Sequence, residues 1–173
     1  MRPLRIRPYL LLGDGNTWKR NDLDDPIFAV GAVVSVGGGI HNDNPIRSYL
    51  HLGILDRSGD QAVERMTAVM LEAIEFMVQW LKVQTRQGSN KSILVHCRGG
   101  MNRSPATIAA FLMATEDMSW EAAMEDIQRF RKKCRPRPEY KVAAERAVAC
   151  WRQRTIHDVS LESGNEATVP PNE

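Results

Sequence analysis

The sequence has few of the features that mark secreted, membrane-spanning or metal-binding proteins. It holds only three cysteines, Cys97, Cys134 and Cys150, without the spacing of a disulfide framework or a metal-ligand cluster. No apolar run approaches the roughly 18 residues that a transmembrane helix needs, and the N-terminus lacks the apolar stretch of a signal peptide. These absences predict a cytoplasmic or nuclear protein with free thiols and no membrane span.

The sequence also lacks a large excess of either positive or negative charge. The formal net charge of +2 is too small to indicate nucleic-acid binding by overall electrostatics. A local basic run could still bind nucleic acid or lipid, although a solvated helix end explains it as well. The run consists of Arg129, Arg131, Lys132, Lys133, Arg135 and Arg137. Nothing in the sequence predicts the oligomeric state.

Short apolar runs alternate with helical patterns along the 173 residues. Strands are predicted at residues 9–12, 32–36, 47–55 and 91–96, and helices at 25–30, after 59, at 105–114, from 119 to about 133, and at 139–152. The long helix after residue 59 has apolar residues at three- and four-residue spacing, and its methionines are interpreted as core. This order predicts an α/β domain, with a central, mostly parallel sheet of about five strands flanked by helices.

The domain limits follow from composition. Residues 1–5 are predicted to be a flexible N-terminus, and residues 6–155 a single folded domain. The remainder, residues 156–173, is polar and ends in prolines, so a disordered tail is expected.

The stretch ILVHCRGGMNRSPA, residues 93–106, places Cys97 between a buried strand and a helix that starts near Ser104. Ligands of open α/β sheets bind beyond the carboxyl ends of the strands. The loop after Cys97 can curl so that its backbone N–H groups point inward and form an anion site, aided by the helix N-terminus. Its candidate phosphate-binding residues are Arg98, Gly99, Gly100, Met101, Asn102 and Arg103. The two glycines permit backbone conformations and close approaches that side chains would block.

Arg103 adds a planar fork of donors that suits two phosphate oxygens. The same positive surroundings should lower the pKa of Cys97 and make it a thiolate, which could attack the phosphorus of a bound phosphate. A buried cysteine alone indicates packing, and a Gly-Gly pair alone indicates a turn. The combined pattern His-Cys-x-x-Gly-x-x-Arg-Ser after a strand and before a helix favours catalysis.

A phosphoryl transfer of this kind also needs a group that protonates the leaving oxygen. Asp56 is the first candidate, because it ends the strand at residues 47–55 and should lie at the same sheet edge as Cys97. Asp56 could instead cap the long helix, but Ser58 or Asp60 can fill that position. The other candidates for the acid are Asp60, Asp43, Asp24 and Asp25.

Two neighbours of the loop complete the predicted site. Ser104 can hydrogen-bond the thiolate and help it leave when water hydrolyses the intermediate, and it can also cap the helix. His96 is interpreted as a residue that orients the loop. The histidines form no recognisable metal cluster in the sequence.

These residues resemble the dual-specificity branch of the cysteine-dependent protein tyrosine phosphatases. The segment from His96 to Ser104 fits the family's phosphate loop, and Ile6 to Gly13 is similar to its opening strand. Residues 33–36 and 52–56 resemble its next strand and the strand that enters the general-acid loop, and residues 130–138 a later Arg-Pro stretch. The resemblance covers roughly residues 6–150.

The resemblance implies the fold of the cysteine-dependent phosphatases and a protein phosphatase acting on phosphotyrosine and on phosphoserine or phosphothreonine. It implies that Cys97 is the nucleophile of a phosphocysteine mechanism, that Arg103 binds the phosphate and the transition state, and that Asp56 is the acid and later the base. No metal or organic cofactor is expected. The expected partner is a phosphorylated protein.

Two loop residues leave other substrates open. Asn102, directly before Arg103, is similar to the RNA 5′-triphosphatase branch, and Arg98 resembles phosphoinositide phosphatases, although that branch usually has a basic residue at the position of Met101. A non-catalytic phospho-binding module is a third alternative, disfavoured by the intact Cys97, Arg103 and Asp56. Oxidation of Cys97 with Cys134 or Cys150 as a resolving thiol is a further hypothesis, for which helical packing of those cysteines is the competing interpretation.

Overall fold

The computed structural model describes residues 2–17, 25–37, 46–54 and 59–164, with side chains up to residue 157. Five strands form one sheet in the order β1-β2-β5-β3-β4. The strands are β1 (Leu4–Arg7), β2 (Leu10–Gly13), β3 (Val30–Ser35), β4 (Ser48–His51) and β5 (Ser92–His96). Only the β1–β2 pair is antiparallel, and the other three pairs are parallel. The predicted mostly parallel sheet is confirmed.

The central strands are apolar because both faces of the sheet are covered. Every residue of β5 is buried, as is every residue of β3. Successive side chains alternate between the faces: Leu10 and Leu12 join the larger core under the helices, whereas Leu11 and Leu94 join a smaller cluster on the other face.

The helices are α1 (Asp60–Arg86), α2 (Arg103–Thr115), α3 (Trp120–Phe130) and α4 (Pro138–Gly164). In α1 the buried residues recur at three- and four-residue intervals, and Met66, Met70 and Met77 are fully buried. The methionines are therefore core residues, as predicted. Ser119 caps α3 by accepting a hydrogen bond from the Ala122 N–H at 3.1 Å, which agrees with a helix start at residue 119.

The predicted helix at residues 25–30 is wrong. Residues 26–28 form a turn in which the Asp25 carboxylate accepts the Ile27 N–H at 2.9 Å. Ala29 has a left-handed backbone, with φ of 45°, which stops helical continuation. The chain enters β3 at Val30 instead. An Asp-Pro pair starts both helices and turns, and here the turn is formed.

Both predicted chain ends differ from the observed elements. Leu4 and Arg5 belong to β1, so the chain is ordered into the sheet before residue 6. At the other end α4 continues to Gly164, through residues 156–164 that were expected to be a disordered tail. Helix α3 ends at Phe130, short of the predicted residue 133. Residues 165–173 lie outside the described part of the chain.

A cluster of polar side chains closes the amino edge of the sheet, where β2 and β5 begin. Arg7 donates from Nη2 to Glu116 Oε2 and to Asp126 Oδ2, each at 2.8 Å. The Tyr9 hydroxyl donates to Glu116 Oε1 at 2.9 Å. Burial and the bond to Glu116 raise the pKa of Tyr9 to about 12.

Beside this cluster a groove of about 450 Å³ opens between α1, α2 and the β1–β2 turn. Its lining includes Tyr9, Leu81 and Phe111. Since Tyr9 precedes β2, the groove lies at the edge of the sheet opposite to Cys97.

None of the helices in the described ranges is long and apolar enough to cross a membrane.

Candidate active site

The cysteine loop, residues 97–102, connects β5 to α2 at the carboxyl edge of the sheet. His96, the last residue of β5, pairs with Gly13 of β2 and with Ser35 of β3. The His96 carbonyl also accepts the Val36 N–H at 2.8 Å. The loop therefore leaves a strand that is held on both sides, and this rigid base fixes where Cys97 lies.

The carbonyl groups of the loop point outward. Four successive carbonyls each accept a donor from another segment: Arg98 O from Gly15 N (3.0 Å), Gly99 O from Arg131 Nη2 (3.0 Å), Gly100 O from Cys134 Sγ (3.7 Å) and Met101 O from Arg135 N (2.9 Å). In a trans peptide the C=O and the next N–H point in opposite directions. The N–H groups that follow these carbonyls are therefore turned toward the inside of the loop, as an anion nest requires.

The Cys97 thiol lies at the base of this nest and is only 3% exposed. It accepts hydrogen bonds from Ser104 Oγ at 3.2 Å and from the Gly100 N–H at 3.3 Å. Burial by itself raises the pKa of Cys97, but the bonds from Ser104 and Gly100 and the charge of Arg103 outweigh it. The pKa of Cys97 is lowered as a result, which favours a thiolate.

Arg103 is the first residue of α2 and is buried, with 7% of its surface exposed. Its Nη1 donates to the Ile54 carbonyl at 2.6 Å. Its Nε is buried and has no hydrogen-bond partner in the described part of the chain. A buried guanidinium with an unmet donor, next to a thiol and an anion nest, is suited to bind two oxygens of a phosphate.

Glycines make room for this arrangement at two places. Gly100 has a φ of 61°, and a Cβ there would lie 2.6 Å from the Gly13 carbonyl oxygen, so no other residue fits. A Cβ on Gly37, just after β3, would lie 3.2 Å from Arg103 Nη1. Gly37 therefore keeps space beside the guanidinium.

The remaining predicted loop residues differ in exposure. Arg98 is exposed and Met101 is 42% exposed. Asn102 precedes α2, and its Oδ1 accepts the Arg137 N–H at 2.9 Å. His96, which precedes Cys97, is buried, and its role in orienting the loop stays a prediction. Ser104 lies inside α2 and binds the thiol, so it does not cap the helix.

The predicted acid, Asp56, and the alternatives Asp24 and Asp43 lie outside the described residues. Asp25 comes before β3, at the edge of the sheet opposite to Cys97, and its carboxylate holds a turn. Asp60 is the exposed first residue of α1, and Gly59 rather than Asp60 occupies the N-cap position. Asp25 is therefore not brought to the site.

Sequence reasoning missed three of the segments that support the loop. They are Gly15, Gly37 and residues 131–137, which follow α3. The glycine-rich ends of the first strands were a usable signal, because glycines after parallel strands often permit close approach. Cys134 lies in the third segment, buried and not in a helix, whereas Cys150 is exposed in α4. Cys134 is therefore packed in the core, as expected, but outside a helix, and the expected packing of helical Cys150 is wrong.

Metal ligation is a further possibility for polar clusters of this kind. In the residues that the structure describes, no three His, Cys, Asp or Glu side chains come together so that they could hold a metal ion.

Comparison with known proteins gives consistent matches. A family model described as dual specificity phosphatase, catalytic domain, matches residues 32–143. The chain is 27% identical over 141 residues to protein phosphatase Slingshot homolog 3 of Homo sapiens. The aligned region covers 80% of this chain and 20% of that protein. The chain spans about a fifth of the length of the curated relatives it matches first.

Solved structures share the fold. The crystal structure of DUSP15 superposes with a TM-score of 0.71 at 19% identity, covering 90% of this chain and 95% of that one. The crystal structure of PTPMT1 in complex with PI(5)P gives 0.68 at 21% identity, covering 90% and 99%. Since the family model covers more than half of the sequence, the chain belongs to the dual specificity phosphatase family.

Proposed function

We propose that this chain hydrolyses phosphotyrosine and phosphoserine or phosphothreonine in proteins through a phosphocysteine intermediate. The observation that carries the proposal is the hydrogen bonding of Cys97, which accepts Ser104 Oγ at 3.2 Å and the Gly100 N–H at 3.3 Å beside buried Arg103. A lowered thiol pKa and an adjacent anion nest are what nucleophilic attack on phosphorus needs.

In the first step the Cys97 thiolate attacks phosphorus, an S–P bond forms and the ester P–O bond breaks. Arg103 and the loop N–H groups stabilise the charge on the transferred group. A carboxylic acid gives its proton to the leaving oxygen, and we assign that role to Asp56. Ile54, two positions earlier, supports the assignment, because its carbonyl accepts a hydrogen bond from Arg103.

In the second step water attacks the phosphocysteine, and the Asp56 carboxylate takes a proton from that water. The S–P bond breaks, inorganic phosphate leaves, and the sulfur departs as a thiolate. The Ser104 hydroxyl stabilises this thiolate by donating to it. No metal or organic cofactor takes part in the proposed chemistry.

The test of the nucleophile is the Cys97→Ser variant. It should lose turnover of an aryl phosphate by several orders of magnitude while it still binds tungstate, because the nest and Arg103 stay in place. Rapid acid quenching of the native enzyme with labelled substrate should trap a phosphocysteine. Persistent hydrolysis in Cys97→Ser would contradict the proposal, and the absence of any trapped intermediate would favour a non-catalytic phospho-binding module.

The test of the acid compares Asp56→Asn with Asp60→Asn, a matched control in the exposed first turn of α1. Asp56→Asn should slow alkyl phosphate esters more than activated aryl esters, because poorer leaving groups depend more on the acid. Asp60→Asn should slow neither. Equal losses on both ester types in Asp56→Asn would remove Asp56 from the mechanism.

Exposed Arg98, which directly follows Cys97 in the loop, keeps a phosphoinositide substrate as a second candidate. PTPMT1, which shares the fold, was solved in complex with PI(5)P. The RNA 5′-phosphatase alternative rested on Asn102, whose amide oxygen holds the Arg137 N–H. Side-by-side kcat/KM values on phosphopeptides, inositol lipids and triphosphorylated RNA distinguish the three. The cytoplasmic or nuclear location stays a prediction.

A further inference from the structure

A segment outside the cysteine loop supplies most of its outward hydrogen bonds. This segment, residues 131–137, lies between α3 and α4 and is called the brace. Its donors reach four consecutive loop residues: Arg131 to Gly99, Cys134 to Gly100, the Arg135 N–H to Met101 and the Arg137 N–H to the Asn102 side chain. The brace thus follows the loop residue by residue.

The bonds to the carbonyls of Gly99 and Gly100 control the part of the loop nearest the thiol. When the Gly99 carbonyl is held outward, the Gly100 N–H must point inward, since a trans peptide is planar. That N–H donates to Cys97 Sγ at 3.3 Å. The Arg131 guanidinium, 3.0 Å from the Gly99 carbonyl, therefore fixes a donor of the site from its far side.

The chemistry of Cys134 agrees with a donor role. Burial raises the pKa of its thiol, the charge of Arg131 lowers it and the charge of Cys97 raises it, to about 11 overall. Cys134 is then protonated at neutral pH and can donate to the Gly100 carbonyl, 3.7 Å from its sulfur. The backbone of Gly100 is in the left-handed region, so its peptide orientation depends on such anchors.

We propose that Arg131 is a positioning residue for the proposed phosphatase reaction. By holding the Gly99 carbonyl outward, it keeps the Gly100 N–H directed at Cys97 and at the bound phosphate, with Cys134 in the same role one peptide further on. The inference rests on the proposed function, because it assigns a role in that reaction. Arg131 does not touch substrate and acts through the loop backbone.

The experiment compares Arg131→Met with Arg131→Lys and with Lys132→Met, the matched control. Lys132 is the exposed neighbour in the brace, so Lys132→Met removes the same charge without a loop contact. Arg131→Met should weaken tungstate binding, measured by titration calorimetry, by about tenfold, the usual effect of losing one hydrogen bond from a charged donor. It should lower kcat/KM by a similar factor. Arg131→Lys should recover part of both losses.

A second readout separates positioning from general stability. The pH dependence of Cys97 alkylation by iodoacetamide reports the thiol pKa. In Arg131→Met this profile should shift to higher pH, because the Gly100 N–H is no longer held on the sulfur. Unchanged tungstate affinity and an unchanged profile in Arg131→Met would overturn the inference, and so would equal changes in Lys132→Met.

The Cys134 pair keeps the test usable if Arg131→Met fails to fold. Cys134→Ser retains an O–H donor, whereas Cys134→Ala removes the donor. Positioning predicts a higher alkylation pH in Cys134→Ala and near-native behaviour in Cys134→Ser. Identical effects of the two substitutions would overturn the proposed role of the hydrogen bond from Cys134 to the Gly100 carbonyl. Turnover that survives in Cys97→Ser would instead refute the proposed function. The two failures are distinguishable, because tungstate affinity reports the loop geometry without any turnover.

Discussion

Two arginines at opposite edges of the sheet use their donors in different ways. At the amino edge Arg7 binds two carboxylates, Glu116 and Asp126, each at 2.8 Å. At the carboxyl edge, within the residues that the structure describes, Arg103 donates from Nη1 to the neutral Ile54 carbonyl, and its buried Nε has no partner. Arg103 is also the more deeply buried of the two.

Burying a cation is costly unless it is paired. The pairing at Arg7 is complete within the protein, so that cluster stabilises the fold and the strand β1. At Arg103 the described part of the chain leaves the charge without a carboxylate. That is the arrangement expected if a phosphate supplies the missing acceptors. The comparison therefore supports the proposal that Arg103 binds the substrate phosphate, whereas Arg7 contributes to stability.

The largest expected effect comes from exchanging each arginine for lysine. Arg103→Lys keeps the charge but loses the planar fork, and kcat/KM should fall by about 10³-fold. Arg7→Lys should leave kcat/KM within about twofold, because it removes contacts only at the opposite edge. Steady-state kinetics on an aryl phosphate checks both. Comparable losses in the two variants would contradict the division of roles.

A smaller effect is expected for Ser104→Ala, which removes the hydroxyl that donates to Cys97 at 3.2 Å. Losing one hydrogen bond to an ionised sulfur should raise the thiol pKa and lower kcat by about tenfold. The alkylation profile of Cys97 should move to higher pH. Ser104→Thr, which retains a hydroxyl, is the matched variant. An unmoved profile in Ser104→Ala would remove Ser104 from the stabilisation of the thiolate.

Arg7→Met should change stability and not activity. It keeps the aliphatic stem but leaves Glu116 and Asp126 without their shared donor. The free energy of unfolding should fall by about 2 kcal/mol, which lowers Tm by about 5 °C in a chain of this size. Differential scanning calorimetry gives the change in Tm. A loss of kcat/KM at a temperature where the variant is folded would show that the two edges are coupled.

The smallest effect is a pH dependence of stability. The hydrogen bond from Arg7 holds the pKa of Glu116 below its ordinary value of 4.5, although burial opposes this. A carboxyl with a depressed pKa contributes stability above its unfolded-state pKa and loses it as the pH falls through the folded value. The difference in Tm between the native protein and Glu116→Gln should therefore be present at pH 6 and shrink below about pH 4. A constant difference would contradict the pairing.

The cysteine loop and the parallel sheet were predictable because their signals are local. The buried strand, the loop residues and Arg103 all lie within residues 92–103. The parallel sheet is indicated by short apolar runs that alternate with helical patterns along the sequence. The antiparallel strand β1 was missed, although Leu4 and Ile6 alternate with Arg5 and Arg7 in the pattern of a half-covered edge strand. Over four residues this alternation is too short to distinguish a strand from an irregular segment.

The brace could not be predicted for a different reason. The Arg135 and Arg137 contacts use backbone N–H groups, which every residue except proline possesses. Their placement depends on how α3 and α4 pack and not on the identity of the residues. The extension of α4 to Gly164 was missed because residues 153–164 are mostly polar and carry no core-facing periodicity.

The strand β5 lies at the centre of the sheet but is the last strand in the chain, with β1 and β2 on one side and β3 and β4 on the other. The two pairs are not hydrogen-bonded to each other, so the sheet becomes continuous only when the segment that ends at Cys97 enters between them. Such non-local pairing is a slow step in folding. Until then Cys97 lacks the hydrogen bonds from Ser104 and Gly100 and the nearby charge of Arg103, which lower its pKa in the folded protein. A newly made chain therefore acquires the lowered thiol pKa of Cys97 only on completing its fold.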